Sequence, residues 1–137
     1  MQNEILFKGS CLCSKIKYEL SQEPFDCSIC HCCICRKLTG SGFGAYGAVN
    51  RSHFKWLTCS DEISQYSPTP ISRRYFCGTC GSYLATDHDG DPSRVYLSLG
   101  CLDSELATQP EHQQFAGAIP GWSKLHDNLS TYEKWPD

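Results

Sequence analysis

The sequence lacks the long apolar and long basic runs that several classes of protein require. No stretch approaches the ~20 consecutive apolar residues that span a bilayer, and the N-terminal segment has neither the basic region nor the apolar core of a secretory signal. The longest basic runs are Arg36-Lys37 and Arg73-Arg74, in a chain of net charge −3. We therefore expect no membrane segment and no nucleic-acid partner.

Cysteine, by contrast, is abundant, with 11 in 137 residues. An odd count in a chain of this length, without a secretory signal, favours thiols that are free or metal-bound in a reducing compartment. We therefore expect a cytoplasmic protein. The hydrophobic and charged fractions, 40% and 20%, are those of a folded chain, and the length suits one domain over residues 1–137.

Short apolar or alternating segments, separated by glycine, proline and polar turns, predict about eight strands and little helix, hence a mainly β fold. The strands are expected over residues 4–11, 14–21, 42–49, 54–57, 63–66, 71–76, 83–86 and 95–99. A hairpin is expected to join 42–49 to 54–57. A turn or two of helix is expected over 36–39, ended by Gly40.

The segment Cys77-Gly78-Thr79-Cys80-Gly81 has the spacing and the glycines of a zinc knuckle. Such a pair needs two more sulfurs, and Cys11-Leu12-Cys13 is the natural donor. The four thiols predict a closed tetrahedral zinc site, which we assign to structure because it leaves no position for substrate. A redox Cys-x-x-Cys would require a thioredoxin-like βαβ context, which the sequence lacks.

The segment Cys27–Cys35 holds five cysteines and one histidine in nine residues. Thiols this close cannot all form unstrained disulfides, but their spacings suit a soft divalent cation. In one arrangement, Cys30, Cys32 and Cys35 leave a fourth position open, and the site is catalytic. In the other, Cys27 closes the set, and the site is structural.

Four motifs follow one another along the chain. They are Gly9-Ser10-Cys11-Leu12-Cys13, Cys30-His31-Cys32-x-x-Cys35-Arg36-Lys37, Phe76-Cys77-Gly78-Thr79-Cys80-Gly81 and Gly100-x-Leu102-Asp103. Together they resemble the glutathione-dependent formaldehyde-activating enzyme family, whose domain is shared with centromere-protein-V-like proteins. The resemblance runs from about residue 5 to residue 126.

This resemblance implies a β-tent fold and two zinc ions per chain. The implied ligands are Cys11, Cys13, Cys77 and Cys80 for a structural zinc, and Cys30, Cys32 and Cys35 for a catalytic zinc. The implied activity is that of a carbon–sulfur lyase like S-(hydroxymethyl)glutathione synthase. Its substrates would be formaldehyde and a small thiol such as glutathione.

Three further thiols depart from the family pattern. Cys27 and Cys33 lie beside the three-cysteine frame, and Cys101 stands where the family often has a small hydroxyl residue. Each is expected either to join a metal shell as a fourth ligand or to pack as an ordinary buried thiol. For His31, a proton relay is one interpretation, and a supporting or exposed histidine is the other.

Other polar residues give weaker indications. Arg36 and Arg73 are candidate partners for glutathione carboxylates, with surface arginines as the alternative. His112, Trp122 and His126 are candidates for the mouth of a pocket, with core packing as the alternative. The acidic turn over residues 87–91 lacks the frame of a calcium loop and is expected to be solvated.

Two other functions fit the same residues. The first is a zinc-stabilised binding module, in which both zinc sites are structural and no reaction is catalysed. Four sulfur ligands in the central site would favour it, whereas three ligands plus solvent would favour the lyase. The second is a redox-sensing thiol cluster over Cys27–Cys35.

Overall fold

Two β-sheets and one short helix form the part of the chain that the structure, a computed structural model, describes: residues 4–123 and 129–136. The strands are β1 (Phe7–Ser10), β2 (Lys17–Leu20), β3 (Phe25–Cys30), β4 (Gly44–Asn50), β5 (Phe54–Trp56), β6 (Ile63–Tyr66), β7 (Ser72–Cys77), β8 (Tyr83–His88), β9 (Arg94–Ser98) and β10 (His112–Gln114). The helix α1 spans Cys33–Thr39. The expectation of a mainly β fold is confirmed. Among the described residues, no helix is long and apolar enough to cross a bilayer.

The smaller sheet has the order β1-β2-β5 and carries the first cysteine pair in the turn between β1 and β2. The predicted hairpin between 42–49 and 54–57 is wrong, because β5 pairs with β2 while β4 pairs with β3 and β9. Aromatic packing accounts for the pairing of β5. The rings of Phe54 and Trp56 lie 5.4 and 5.9 Å from that of Tyr18, which is fully buried on β2.

The larger sheet has the order β10-β3-β4-β9-β8-β7-β6. Neighbouring strands in this sheet are antiparallel, except that β10 and β3 are parallel. At the end of β3 the chain turns into α1, which ends as expected at Gly40. That residue has a φ of 68°, and its N–H donates to the carbonyl of Arg36.

One hydrophobic core joins the two sheets. Its fully buried members are Ile16, Tyr18 and Leu20 from the smaller sheet and its entry, and Val49, Leu84, Ala85, Val95 and Leu97 from the larger sheet. Burying a side chain of this size stabilises the fold by roughly 1.5–3 kcal/mol. Cys11 and Cys77 lie inside the same cluster, so one group of thiols forms part of the core.

The acidic segment over residues 87–91, which begins within β8, is not wholly solvated as expected. Asp87 is 5% exposed, and it accepts hydrogen bonds from Arg51, Arg73 and Tyr75 at 3.1, 2.6 and 2.9 Å. Arg73 also pairs with Asp89. A buried carboxylate needs such compensation, so Arg73 is committed to this network and is not available for a substrate.

Candidate metal centres and the adjoining pocket

The first group of sulfurs comes from two distant parts of the chain. Cys11 and Cys13 lie in the turn after β1, whereas Cys77 ends β7 and Cys80 follows it. The four Sγ atoms lie within 4.8 Å of one another, with 3.6 Å between Cys11 and Cys13 and 3.8 Å between Cys13 and Cys77. A tetrahedron with Zn–S bonds of about 2.3 Å has edges of about 3.8 Å, so the observed spacing suits a zinc ion.

Backbone amides and a hydroxyl surround this four-sulfur group. The N–H of Ile16 donates to the Sγ of Cys11 at 3.2 Å, and the N–H of Cys80 donates to the Sγ of Cys77 at 3.4 Å. The hydroxyl of Ser82 lies 3.3 Å from the Sγ of Cys80. Such donors stabilise thiolates, which are the form that binds a metal.

The pKa values within this group diverge. The Ser82 hydroxyl, with backbone donors, lowers the pKa of Cys80 to about 5. A backbone hydrogen bond from Lys15 lowers the pKa of Cys13, but burial and the neighbouring thiols raise it overall to about 11. Without a cation the four thiols therefore do not all ionise near neutral pH, and a divalent ion would favour the thiolate form of all four.

The second group of sulfurs is local in sequence. Cys30 ends β3, Cys32 caps the N-terminus of α1, and Cys35 lies in the first turn of that helix. Their three Sγ atoms lie within 4.8 Å of one another. The N–H of Cys35 donates to the Sγ of Cys32 at 3.3 Å. This three-sulfur group could hold a soft divalent ion and leave one tetrahedral position free for another ligand.

The pKa values of these three thiols also diverge. Burial raises the pKa of Cys35 to about 12 and raises that of Cys30. Burial also acts to raise the pKa of Cys32, but hydrogen bonds from the backbone of Cys35 and from neighbouring thiols lower it overall. As in the first group, a bound cation would stabilise the ionised set.

Neither group includes the three extra thiols. Cys27 points to the opposite face of β3 from Cys30, because side chains alternate along a strand. Its Sγ lies 3.9 Å from both the carbonyl oxygen of Pro24 and the hydroxyl of Thr108. Cys33 is exposed on α1. Cys101 donates to the carbonyl of Tyr83 at 3.3 Å and packs against the core as an ordinary thiol.

A pocket of about 530 Å³ opens beside the three-sulfur group, and all three of its cysteines line it. Tyr46 on β4 and Arg74 on β7 line the same pocket. The hydroxyl of Tyr46 is buried, and it lies beside the thiol of Cys35 and the hydroxyl of Tyr83. Gly44 is required beside Tyr46, because a Cβ at that position would overlap its hydroxyl.

His31 is buried, so the interpretation as an exposed histidine is wrong. Its Nε2 lies 2.7 Å from the Oε1 of Gln113, and its backbone N–H donates to the carbonyl of Gln114. The ring packs against Phe43 with centroids 5.9 Å apart. His31 is not among the residues that line the pocket. Its contacts tie β10 to the loop that carries the three sulfurs, which favours a supporting role over a proton relay.

The remaining predicted site residues that the structure describes do not line the pocket. Arg36 donates to the carbonyl of His31. His112 is exposed near Asp26, and Trp122 is 68% exposed, which excludes core packing for both. His126 lies outside the described residues.

Sequence reasoning missed Tyr46 and Arg74, because neither belongs to a ligand motif. Tyr46 lies on β4 and Arg74 on β7, two strands of the larger sheet that are far apart in sequence from each other. One signal was present in the pair Arg73-Arg74. Since β7 alternates its faces, one arginine of the pair must point away from the other, and Arg74 is the one that reaches the pocket.

The comparisons with known proteins agree with this geometry. The sequence model of the glutathione-dependent formaldehyde-activating enzyme family matches residues 6–118, a span that contains both sulfur groups. A crystal structure of a Rhodobacter sphaeroides protein is similar in fold, with a TM-score of 0.63 and 19% sequence identity, over 78% of this chain and 99% of the other. A search of curated proteins found no significant match. Because the family model covers most of its length, this chain belongs to the glutathione-dependent formaldehyde-activating enzyme family.

Proposed function

We propose that this protein is a zinc-dependent carbon–sulfur lyase that forms or cleaves an adduct between a thiol and formaldehyde, as S-(hydroxymethyl)glutathione synthase does. The observation that carries the proposal is that a group of three cysteine sulfurs lines a pocket large enough for a small substrate. Membership in the family supports the same assignment. The proposed setting is the reducing cytoplasm, where these thiols and a thiol substrate stay reduced.

In this proposal the two sulfur groups have different tasks. The four-sulfur group holds a structural zinc, because its ligands complete a tetrahedron and two of them belong to the core. The three-sulfur group holds the second zinc. Sulfur donors at these spacings fit zinc better than they fit the hard ions calcium and magnesium, which take oxygen ligands.

A zinc ion at the three-sulfur group would supply an open position at which a substrate thiol binds and loses its proton. The protein fixes that position through Cys30 and Cys35, which are buried, and Cys32, which faces the pocket. The reaction adds the thiol across the carbonyl group. The thiol sulfur forms a bond to carbon, the π electrons of the carbonyl move to oxygen, and that oxygen takes up a proton.

Tyr46 is the residue we assign to the oxygen of formaldehyde. Its hydroxyl is a buried donor that lies beside the thiol of Cys35 and the hydroxyl of Tyr83, in the same pocket as the sulfurs. A preorganised donor stabilises the negative charge that develops on a carbonyl oxygen during addition. In the cleavage direction, the same donor stabilises that oxygen as the carbon–sulfur bond breaks.

Metal analysis combined with NMR exchange spectroscopy tests this proposal. We expect two zinc ions per chain, and we expect exchange of formaldehyde onto glutathione to be faster with the protein than without it. Exchange at the uncatalysed rate, with both ions bound, would contradict the lyase assignment. X-ray absorption would then separate three sulfurs plus a lighter ligand from the four sulfurs of a binding module.

A further inference from the structure

Arg74 lines the pocket, and its surroundings differ from those of most other arginines of the chain. Arg51, Arg73 and Arg94 each have a carboxylate within 4.0 Å, whereas no carboxylate of the described residues lies that close to Arg74. Its Nη1 donates to the hydroxyl of Tyr83 at 2.6 Å. Its Nε is buried and has no hydrogen-bond partner.

The guanidinium of Arg74 has fewer hydrogen-bond partners than it can use. A guanidinium carries five N–H donors and a permanent charge, and burying a donor or the charge without a partner costs free energy. The acceptor that best satisfies it is a carboxylate, which takes two parallel N–H bonds from one edge of the guanidinium. The unpartnered Nε of Arg74 belongs to such an edge, in a pocket that is open to a ligand.

The tyrosines of the same pocket wall do not supply this acceptor. Tyr46 is only 7% exposed, and its hydroxyl lies beside the thiol of Cys35 and the hydroxyl of Tyr83. Its ring packs edge-on against that of Tyr83, with centroids 6.0 Å apart, and the hydroxyl of Tyr83 accepts the hydrogen bond from Nη1 of Arg74. The Nε of Arg74 therefore remains without a partner in the wall of the pocket that contains Tyr46.

The acidic residues of the pocket do not supply this acceptor. Asp26 lies 3.5 Å from Arg94, and Asp91 lies 3.9 Å from the same arginine. Asp91 also accepts a hydrogen bond from Tyr96 at 2.6 Å. Both carboxylates are thus engaged by other residues, and the groups that stabilise the charge of Arg74 are Tyr83, Tyr46 and the thiol of Cys35 rather than a carboxylate.

We propose that Arg74 determines substrate specificity by binding a carboxylate of the thiol substrate while the thiol itself occupies the open position beside Cys30, Cys32 and Cys35. The inference rests on the proposed function only in placing the thiol there. It assigns one residue of this chain to the carboxylates that glutathione and similar thiols carry. It also replaces Arg36 and Arg73, the arginines that the sequence suggested, because both are engaged by groups of the protein itself.

A matched pair of ligands tests this assignment by binding alone. Glutathione and its diethyl ester share the thiol and the peptide but differ in their carboxylates. We expect the zinc-loaded wild-type protein, titrated by calorimetry, to bind glutathione about 10- to 100-fold more tightly than the diester, the range expected for a charge-assisted hydrogen-bonded pair. In Arg74→Met, we expect the affinity for glutathione to fall to that for the diester, while the affinity for the diester changes less than about threefold.

Two further variants keep the test decisive. Arg74→Lys retains the positive charge but lacks the two parallel N–H donors of a guanidinium. We therefore expect its preference for glutathione over the diester to lie between those of Arg74→Met and the wild type. Arg36→Met removes an arginine that does not line the pocket, so we expect it to keep the full preference. Zinc content and thermal unfolding of each variant show whether it is folded.

Two results would overturn the proposal. One is a wild-type protein that binds both ligands equally. The other is an Arg74→Met variant that loses affinity for both ligands alike, since Arg74 would then only offset the charge of the thiolates. Neither result depends on turnover, so a failure of the lyase assignment in the NMR exchange experiment is a separate outcome.

Discussion

The two sulfur groups are both built from cysteine, but they differ in burial and in how far apart their members lie in the sequence. In the four-sulfur group, two of the thiols lie in the core between the sheets, and the ligands come from segments more than 60 residues apart. In the three-sulfur group, the thiols fall within six residues of one another and open onto a pocket. Two features therefore distinguish the groups. Four sulfurs from distant segments form a site that stabilises the fold, whereas three sulfurs from one short segment form a site that can bind a substrate.

The largest expected effect is on folding, from Cys77→Ser. The substitution removes a proposed zinc ligand that is fully buried in the core, and structural zinc binding contributes free energy comparable with the whole stability of a small domain. We expect the free energy of unfolding to fall by more than about 4 kcal/mol, measured by denaturant titration followed by circular dichroism. The exposed Cys33→Ser is the matched control. A Cys77→Ser protein as stable as wild type would remove the distinction between the two groups.

Cys32→Ser should affect activity rather than folding. Cys32 is partly exposed in the pocket wall and lies outside the main core. We expect the variant to keep its fold and one zinc ion while exchange of formaldehyde onto glutathione falls at least about 100-fold, toward the uncatalysed rate. Metal analysis and NMR exchange on the same sample check both parts. A fully active variant would show that the three-sulfur group is not the catalytic centre.

Tyr46→Phe should give a smaller loss confined to the chemical step. Removing one donor to a developing oxyanion typically costs about 10²–10³ in rate when the donor is optimally placed, and we expect a decrease of about 10- to 100-fold in kcat here. Because the hydroxyl is buried beside the thiol of Cys35, which is only a weak hydrogen-bond partner, its removal should change the thermal midpoint only slightly. Equal losses of rate in Tyr46→Phe and in Tyr132→Phe, at an exposed tyrosine that does not line the pocket, would contradict a specific role.

Cys27→Ala should have the smallest effect. Cys27 lies on the opposite face of β3 from the three sulfurs, so we expect both zinc ions and the exchange rate to be retained. The lost packing of a buried thiol should cost about 1 kcal/mol in denaturant titration. Loss of one zinc ion in this variant would instead indicate a closed four-cysteine set in the central loop.

Local spacing made both sulfur groups predictable, because ligands that surround one ion must follow short sequence motifs or pair with one that does. The choice between three and four central sulfurs was not predictable from spacing. It depends on strand β3, which the sequence did not suggest after Pro24 and which turns Cys27 away from the other thiols. A resemblance to the family was needed to choose three.

The pocket walls were beyond sequence reasoning for a related reason. Tyr46 and Arg74 meet the sulfurs only because β4 and β7 are brought to the same pocket by the order of the large sheet. The predicted pairing of β5 was wrong for a similar reason, because the aromatic residues of β5 pack against Tyr18 on a strand that is remote in sequence. Register and strand order are long-range properties that alternation within one strand cannot reveal.

The parallel pairing of β10 with β3 has a consequence for the timing of assembly. During synthesis the loop with the three thiols leaves the ribosome well before Gln113 and Gln114, which bond to His31 and Ser28 across 82 and 86 residues. At about 5–20 residues per second, that interval lasts several seconds. The three thiols of the nascent chain therefore lack these contacts for that time, and the wall formed by Gln114 and Phe115 can close beside them only after both residues have been synthesised.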